Sequence, residues 1–482
     1  MFEAALALGR VVVNAARQRL DNTSESEAER RAVGTETRSL VEVNRGHAEK
    51  VARVCSMLKA RKSSRPLSLK KKAVSHVVPK VGDKKYSDDK IDITDFNAIL
   101  HIDAERRLCF AEPGVTFVDL VAATMRYGLV PLVVPEMKTI TIGGAVSGCS
   151  IESMSFQIGG FHDNCVEYEV ITTKGEVLVC TPDNEHALVF QMIHGSFGTL
   201  GILSKLVFRL TPSKPYVRMT YEKYTHLADY KAAIMRHFER HDVDFMDGII
   251  HSPTQYVLSV GTFVDFAPYT NSYDWLQVYW ESTDKLREDY LKTPDYFFRY
   301  DRGVTNVHPR TWLGRLFFGK FLGSAELLRI PEYFPFVLKR EKPDIICDVF
   351  IPFSKVDEFL AWYAETFRHF PLWCVPYKRV RDYEWLSTRF YENNKDPLFI
   401  DLAIYGMKQT GDVNYHELME AKLLELGGMK TLISHNYYSE ENFWKTWNKD
   451  NYEAAKKITD PDNLLRDLYT KTCKAAMGVA GA

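Results

Sequence analysis

The chain has 482 residues, 62 basic and 63 acidic side chains, and eight cysteines. Its length predicts two or three domains, because a single hydrophobic core rarely serves so long a polypeptide. The balanced charge argues against a nucleic-acid-binding protein, which would need an excess of Lys and Arg to bind phosphates. The cysteines are scattered without a C-x-x-C pair, which argues against a metal site or a disulfide framework and favours a reducing compartment.

Residues 1–40 are predicted to form a helix followed by a polar linker. Apolar residues recur there at helical spacing, with Arg10, Arg17 and Arg19 between them. This pattern fits a helix that lies on a membrane surface, an organelle-targeting segment, or a helix packed against the body of the protein. Nowhere does the sequence reach the roughly 20 apolar residues of a transmembrane helix. We therefore expect a location in the cytoplasm or at the periphery of an intracellular membrane.

Helical and strand patterns divide the rest of the sequence at the Thr-Pro-Ser-Lys-Pro stretch of residues 211–215. Before this boundary, the periodicity predicts helices at 42–59 and 117–125, with short strands at 91–93, 98–102 and 108–111. After it, long strands alternate with predicted amphipathic helices at 227–240, 355–368 and 415–426. The stretch 284–345 is predicted to be irregular, as a substrate cap or an insertion, and 440–477 to be a helical tail. The pattern as a whole predicts an α+β fold.

Two segments rich in glycine, Pro135–Ser153 and His194–Leu203, bracket a predicted hairpin whose turn is at Lys174 and Gly175. Small residues let backbone N–H groups come close to a bulky anion such as the pyrophosphate of FAD, although a glycine-rich barrel corner is the structural alternative. We expect Pro135 to end a strand and Gly148 to lie in a turn. The G-x-x-G-x-x-G spacing from Gly195 differs from the Rossmann fingerprint, so no separate nicotinamide-binding domain is predicted.

A basic loop from Lys59 to Lys72 carries cations and no acid. It is either a solvated surface or a second loop that binds the diphosphate of the cofactor. Together with the glycine segments it completes the predicted cofactor site. The predicted cofactor-binding residues are Ser64, Ser68, Leu69, Lys70, Lys71, Pro135, Thr141, Gly143, Gly144, Gly148, Ser150, Glu152, Ser153, Gly198, Gly201 and Ile202.

The segments 135–148, 163–175 and 195–203 resemble the flavin-binding domain of the vanillyl-alcohol oxidase (para-cresol methylhydroxylase-type, PCMH-type) superfamily. Within it, the strings at 148–153 and 399–406 look like those of the Diminuto-like 24-dehydrocholesterol reductases. The resemblance runs from about residue 45 to 477 and is patchier between 220 and 350. It implies a PCMH-type two-subdomain FAD-binding domain over 41–212. An α+β substrate domain with an antiparallel sheet flanked by helices would follow over 213–482.

The same resemblance implies that hydride moves through flavin N5. NADPH would reduce FAD, which would then reduce a C=C bond in the side chain of a sterol or isoprenoid lipid. Alternatives are an oxidase or dehydrogenase of a small alcohol, sugar or lactone, and an inactive flavin-binding scaffold. A proton donor or acceptor must lie within hydrogen-bonding reach of the reacting atom. The candidates, in order of preference, are Tyr405, Tyr377, Cys374 and His435.

Many superfamily members bind FAD covalently through His or Cys. The basic loop holds no histidine, His76 lies just beyond it, and His162 is interpreted as structural. The sequence therefore predicts noncovalent FAD. It predicts no oligomeric state.

Overall fold

The structure is a computed structural model that describes residues 40–72, 80, 82–83, 87–274, 277–301, 303, 305–306, 343–392 and 394–479. The predicted helix within 1–40, His76 and residues 307–342 of the predicted cap lie outside the described residues. Those described combine helices with antiparallel sheets, which confirms the α+β fold class. Among them, no helix has both the length and the apolar character needed to cross a membrane.

The first described element is a long helix, α1 (Leu40–Ala60), which confirms the helical pattern of 42–59. The basic loop follows it and leads into β1 (Leu67–Lys70), which pairs in parallel with β2 (Asp89–Asp92). Buried side chains of the helix and of both strands form a small hydrophobic cluster. The basic loop is therefore anchored at both ends.

A six-stranded antiparallel sheet follows. Its strands are β3 (Ile99–Asp103), β4 (Leu108–Ala111), β5 (Leu129–Pro131), β6 (Cys165–Ile171), β7 (Val177–Cys180) and β8 (Ile202–Pro212). Their order is β3-β4-β8-β6-β7, with β5 paired to β8, and the predicted hairpin turn at Lys174 and Gly175 joins β6 to β7. The helices of this part are α2 (Phe117–Met125), α3 (Ile142–Gly148), α4 (Ser155–Ile158) and α5 (Ala187–Met192).

An eight-stranded antiparallel sheet forms the rest of the core. Its strands are β9 (Tyr216–Tyr224), β10 (Phe245–Ser252), β11 (Gln255–Val264), β12 (Glu288–Lys292), β13 (Ile345–Pro352), β14 (Leu372–Lys378), β15 (Leu398–Met407) and β16 (Met429–Lys430). They are ordered β12-β9-β11-β10-β14-β15-β13-β16.

The helices that accompany this sheet are α6 (Leu227–Arg240), α7 (Tyr279–Thr283), α8 (Thr293–Phe297), α9 (Val356–Thr366), α10 (Thr388–Glu392), α11 (Tyr415–Leu426), α12 (Glu440–Thr446) and α13 (Lys449–Thr459). The helices α6, α9 and α11 and the helical tail confirm the sequence pattern. The expectation of an irregular stretch from 284 is wrong where β12 and α8 form. There the β12 edge pairs with β9, and tertiary pairing overrides weak local periodicity.

The eight-stranded sheet is buried on both faces. Neighbouring residues of a strand point to opposite faces. Cys374 and Leu402 pack with helix residues such as Phe359 in one hydrophobic cluster. Trp373 and Ala403 instead join the core shared with the six-stranded sheet. The second face is therefore the one that meets the glycine segments.

A buried histidine ties α1 to the six-stranded sheet. The His47 ring nitrogens lie 2.9 Å from Glu112 Oε1 and 3.0 Å from Glu169 Oε1, and Lys50 Nζ lies 2.7 Å from Glu112 Oε2. Burial alone would lower the pKa of His47, but its hydrogen bonds to the two carboxylates raise it to about 9. His47 is therefore a charged cross-link at neutral pH.

We expect His47→Ala to lower the free energy of unfolding by about 1–3 kcal/mol, because it leaves buried carboxylates short of a partner. The folded-state pKa is raised above the ordinary 6.5, so this stabilisation is complete below pH 6.5 and is lost as the pH rises through about 9. Urea denaturation at the two ends of this window should show a larger penalty at the lower pH. Arg45→Ala, whose side chain is 74% exposed, serves as control. An equal penalty at both ends would contradict the charged cross-link.

Candidate functional site

The first glycine segment folds as a short helix rather than an open loop. Pro135 does not end a strand, because β5 already ends at Pro131. Thr141 caps α3, and its Oγ1 accepts a hydrogen bond from Gly144 N at 3.3 Å. A Cβ at Gly143 would lie 2.6 Å from Pro113 Cβ, so this glycine is needed for packing against the protein itself.

Gly148 is the residue of this segment that faces open space. It ends α3 rather than lying in a turn, and the left-handed Cys149 follows, with φ 54°. A Cβ at Gly148 would meet no heavy atom within 4 Å. A bulky ligand can therefore come close to the backbone at this point.

The second glycine segment also contains one glycine beside open space and one packed against the protein. A Cβ at Gly198 would meet nothing within 4 Å, whereas one at Gly201 would lie 2.8 Å from Val170 Cγ1. Ile202 is buried in the cluster against which Leu69 of the basic-loop strand packs. The structure thus brings the basic loop and the end of the second segment together through apolar contacts.

A cavity opens where the two glycine segments meet the eight-stranded sheet, and its empty space, counted together with the part open to solvent, is about 700 Å³. Gly148, Cys149 and Gly195 line one side. The other walls come from the sheet and the segments that follow its strands, and they are largely aromatic. They include Phe350, Tyr377, Tyr383, Trp385, Phe390, Phe399 and Trp447.

One wall of this aromatic cavity is polar. Tyr377 Oη and Tyr383 Oη lie within hydrogen-bonding distance of each other and of Asp163 Oδ2, at 3.4 and 3.1 Å from that oxygen, so two hydroxyl protons serve three contacts. Burial, and then the Asp163 carboxylate, raise the pKa of both phenols well above the usual value. Both phenols therefore keep their protons at neutral pH and can act as hydrogen-bond donors.

Tyr405, the first catalytic candidate, lies on the same face of the eight-stranded sheet as Tyr377. It is not among the residues that line the cavity. Its Oη donates to Asp348 Oδ1 at 2.7 Å. Burial raises the pKa of Asp348 to about 6 and that of the nearby Glu136 to about 8. Burial and the charges of Asp348 and Glu136 raise the pKa of Asp401 well above its usual range. These acids form a partly protonated cluster around Tyr405.

The two remaining catalytic candidates lie apart from the cavity lining. Cys374 packs in the hydrophobic cluster on the helix-covered face of the sheet, where burial raises its pKa to about 12. The carbonyl of His435 accepts a hydrogen bond from Lys430 Nζ at 2.7 Å. Of the four candidates, the structure brings only Tyr377 to the cavity.

The basic loop uses several of its polar groups within the protein. Ser68 Oγ accepts from Lys90 Nζ at 2.5 Å, and Lys70 Nζ lies 2.8 Å from Asp92 Oδ2. Ser64 and Lys71 are exposed. The acids on β2 that face this loop were not foreseen from the sequence, since they lie far from it in residue number.

Three predicted cofactor residues hold the backbone in place instead of facing open space. The carbonyl of Ser150 accepts from Phe161 N at 3.0 Å, and Ser153 Oγ accepts from Tyr296 Oη at 2.8 Å. Glu152 Oε1 forms a buried ion pair with Arg299 Nη2 at 2.9 Å. The contacts of Ser153 and Glu152 fasten the first glycine segment to α8 and the residues that follow it.

Arg299 is the centre of this connection. Its Nη2 also lies 3.1 Å from Asp247 Oδ2, which accepts a further hydrogen bond from Trp373 Nε1 at 2.8 Å. The guanidinium carbon lies 4.2 Å from the centre of the Tyr296 ring. Arg299 is thus a fully enclosed charge whose stability depends on both acids.

Most of the cavity wall was not predictable from the sequence. Tyr383, Trp385 and Phe390 come from one stretch after β14 and Trp447 from a distant one, and no local motif connects the two. The high aromatic content of the second half was the one available signal. The interpretation of His162 as structural is incomplete, because this residue lines the cavity.

Comparison with known proteins agrees with the resemblance found in the sequence. Residues 46–181 match the FAD binding domain family. The chain is 26% identical to a Delta(24)-sterol reductase of Pisum sativum, over 92% of this chain and 87% of that protein. It is 24% identical to that of Homo sapiens, over 78% of this chain and 76% of that protein. Cytokinin dehydrogenase 10 of Oryza sativa subsp. japonica is 27% identical over 27% of this chain and 24% of its own.

We expect Arg299→Met to lower the free energy of unfolding by about 3–5 kcal/mol, because it leaves Glu152 and Asp247 as buried, uncompensated acids. Urea denaturation followed by circular dichroism measures this. The triple variant with Glu152→Gln and Asp247→Asn should recover part of the loss, since the buried charges are then removed.

The control for this prediction is Arg218→Met, which breaks an exposed pair with Glu288, with side chains 50% and 40% exposed. We expect that change to cost less than about 1 kcal/mol. Equal losses in Arg299→Met and Arg218→Met would contradict the role given to the buried charge.

Proposed function

We propose that this protein, whose residues 46–181 form an FAD binding domain, is an oxidoreductase that uses NADPH to reduce a C=C bond in the side chain of a sterol or isoprenoid lipid. The observation that carries the proposal is the aromatic cavity between the glycine segments and the eight-stranded sheet. Similarity to Delta(24)-sterol reductases over most of the sequence supports the substrate class.

The residues present fit FAD. Open space at Gly148 and Gly198 leaves room for a ligand beside the backbone, and the aromatic walls suit a flat ring system. When bound, FAD supplies the transfer of hydride from NADPH to an alkene carbon. We infer that the backbone at Gly148 and Gly195 holds the cofactor, with the basic loop contributing positive charge.

We infer that the attachment of FAD is noncovalent. Cys149 is the cysteine that lines the cavity, and burial raises the pKa of its thiol well above the usual value. A thiol that stays protonated is a poor nucleophile.

The protein must also supply a proton, because reduction of C=C adds one hydride and one proton across the bond. We assign this role to Tyr377, since its phenol is protonated and lies on the cavity wall. Tyr383 and Asp163 hold the Tyr377 hydroxyl group in place through hydrogen bonds. Tyr405 with Asp348 is the second candidate, because its hydroxyl lies among acids whose pKa values are raised by burial.

The rest of the cavity suits an apolar substrate. Leu386 and Phe390 offer apolar side chains, and Trp385 and Trp447 offer wide aromatic rings. The similarity to rice cytokinin dehydrogenase, by contrast, covers only 136 residues, so it supports the cofactor rather than the reaction.

Two broader proposals accompany this function. We place the protein in a reducing compartment, in the cytoplasm or at the periphery of an intracellular membrane, because all eight cysteines are free. We also propose a domain division into 41–212 and 213–482. The last strand of the six-stranded sheet ends at Pro212, and the first strand of the eight-stranded sheet begins at Tyr216.

The purified full-length protein should carry a flavin absorption band that NADPH bleaches without oxygen and that a Δ24-sterol restores. The reason is that NADPH donates, and the alkene accepts, the same hydride. Anaerobic absorption spectroscopy measures both steps, and a saturated sterol serves as the control. Absence of a flavin band would exclude every enzymatic function considered. Bleaching by an alcohol with rapid recovery in air would instead indicate an oxidase.

We expect Tyr377→Phe to slow alkene reduction by about 10²–10⁴-fold, because it removes the proton donor and keeps the ring. Bleaching by NADPH should be unchanged, since hydride transfer to FAD needs no proton from Tyr377. Stopped-flow absorption separates the two half-reactions. Tyr405→Phe is the matched comparison: if it causes the loss and Tyr377→Phe does not, Tyr405 is the donor.

A further inference from the structure

His162 is a buried histidine in a short 3-10 turn, Phe161–Asn164, directly after α4. Only 1% of its surface is exposed. The ring packs against the backbone of Gly160, where a Cβ would lie 2.5 Å from the His162 Cε1 atom. The ring can therefore occupy this position only because residue 160 has no side chain. The surroundings hold the imidazole in one place instead of leaving it free to turn.

Neither ring nitrogen of His162 has a hydrogen-bond partner within the described part of the protein. The nearest carboxylate oxygen, Asp163 Oδ2, is 3.4 Å from Nε2 and receives its hydrogen bonds from Gly160 N, Tyr377 and Tyr383. Burial lowers the pKa of His162, so the ring is neutral and presents one donor and one acceptor. Buried polar atoms of this kind are rarely left without a partner.

The neighbouring buried histidine has a partner for one ring nitrogen, whereas His162 has a partner for neither. His194, whose ring centre lies 5.0 Å away, has its Nε2 within 2.9 Å of Tyr168 Oη. It is also absent from the cavity lining, whereas His162 lines the cavity beside Gly148 and Gly195. His194 Nδ1 also lacks a partner among the described residues, so one unpaired ring nitrogen is not peculiar to the cavity. His162 is set apart because both of its ring nitrogens lack a partner and because it lines the cavity.

The chemistry of the cavity restricts what can satisfy this ring. The aliphatic tail of a sterol offers neither a donor nor an acceptor. A flavin ring system carries carbonyl oxygens, ring nitrogens and an N–H group along one edge, so it can accept from or donate to a neutral imidazole. Gly148 and Gly195, the glycines inferred to hold the cofactor, line the same cavity. Both observations favour the cofactor over the substrate as the partner of His162.

We propose that His162 is a cofactor-binding residue, whose ring hydrogen-bonds the polar edge of the flavin ring system in the cavity. This inference rests on the proposed function, because it requires FAD in that cavity. The contact fixes the flavin ring beside Tyr377 and shifts its electron distribution.

FAD is the probe for the test, and its dissociation constant and visible spectrum are the readouts. His162→Phe removes both hydrogen-bonding atoms and keeps an aromatic ring of similar size. We expect it to weaken FAD binding about tenfold, as loss of a buried hydrogen bond does, and to shift the flavin absorption band. His162→Asn and His162→Gln each keep a hydrogen-bonding group near one ring nitrogen, and we expect one of them to restore both properties.

Control variants distinguish the loss of this contact from misfolding of the protein. His251→Phe changes a histidine that is not among the cavity-lining residues, and should leave FAD affinity and spectrum unchanged. Gly148→Leu should abolish FAD binding by filling the open space beside the backbone. Circular dichroism and the melting temperature of each variant establish that the protein is folded.

Each other outcome overturns the inference in a recognisable way. If folded His162→Phe binds FAD with unchanged affinity and spectrum, a buried water satisfies the ring and the inference is wrong. If FAD binding is unchanged and only the affinity for a Δ24-sterol falls, the partner is the substrate. If the unaltered protein binds no FAD, the proposed function itself fails.

Discussion

The ion pair of Arg299 with Glu152 and Asp247 is the interaction on which the rest of the site depends. Glu152 belongs to the first glycine segment and Asp247 to β10, so one guanidinium fastens the two halves of the cavity to each other. A buried charge cannot be left partly paired without a large penalty. The ion pair therefore restricts how far Gly148 can move relative to the cavity-facing side of β14 without a loss of stability. The aromatic rings around Arg299 reinforce this by excluding water.

Burial also sets the protonation of the site. The pKa values of Glu136 and Asp348 rise to about 8 and about 6 because both carboxyl groups lose solvent. The phenols of Tyr377 and Tyr405 remain protonated for the same reason. Near neutral pH the two phenols and the Glu136 carboxyl group therefore hold protons, whereas Asp348 is largely ionised; of these groups, Tyr377 lines the cavity. Such groups suit a reaction that must end with protonation of carbon.

Much of the fold was predictable because local patterns were strong. Helix α2 matches its predicted limits, since its apolar residues begin at Phe117, directly after the N-cap residue Thr116. Helix α3 was not predicted, because helix propensity argues against Gly143 while packing against Pro113 requires a glycine there. The sequence could not show which of Tyr377 and Tyr405 meets the cavity. Both lie on one face of the sheet, and only the register of β14 and β15 decides which meets the cavity.

The cavity takes its two sides from unrelated stretches of sequence. One side is backbone at Gly148 and Gly195, and a side chain added at Gly148 would enter the open space beside it. The opposite wall is a set of side chains such as Trp385, Phe390 and Leu432. Replacing those side chains by smaller ones changes the shape of the cavity without changing the backbone at Gly148 and Gly195. On the function proposed above, substrate preference can therefore diverge among descendants of this protein while the cofactor site stays the same.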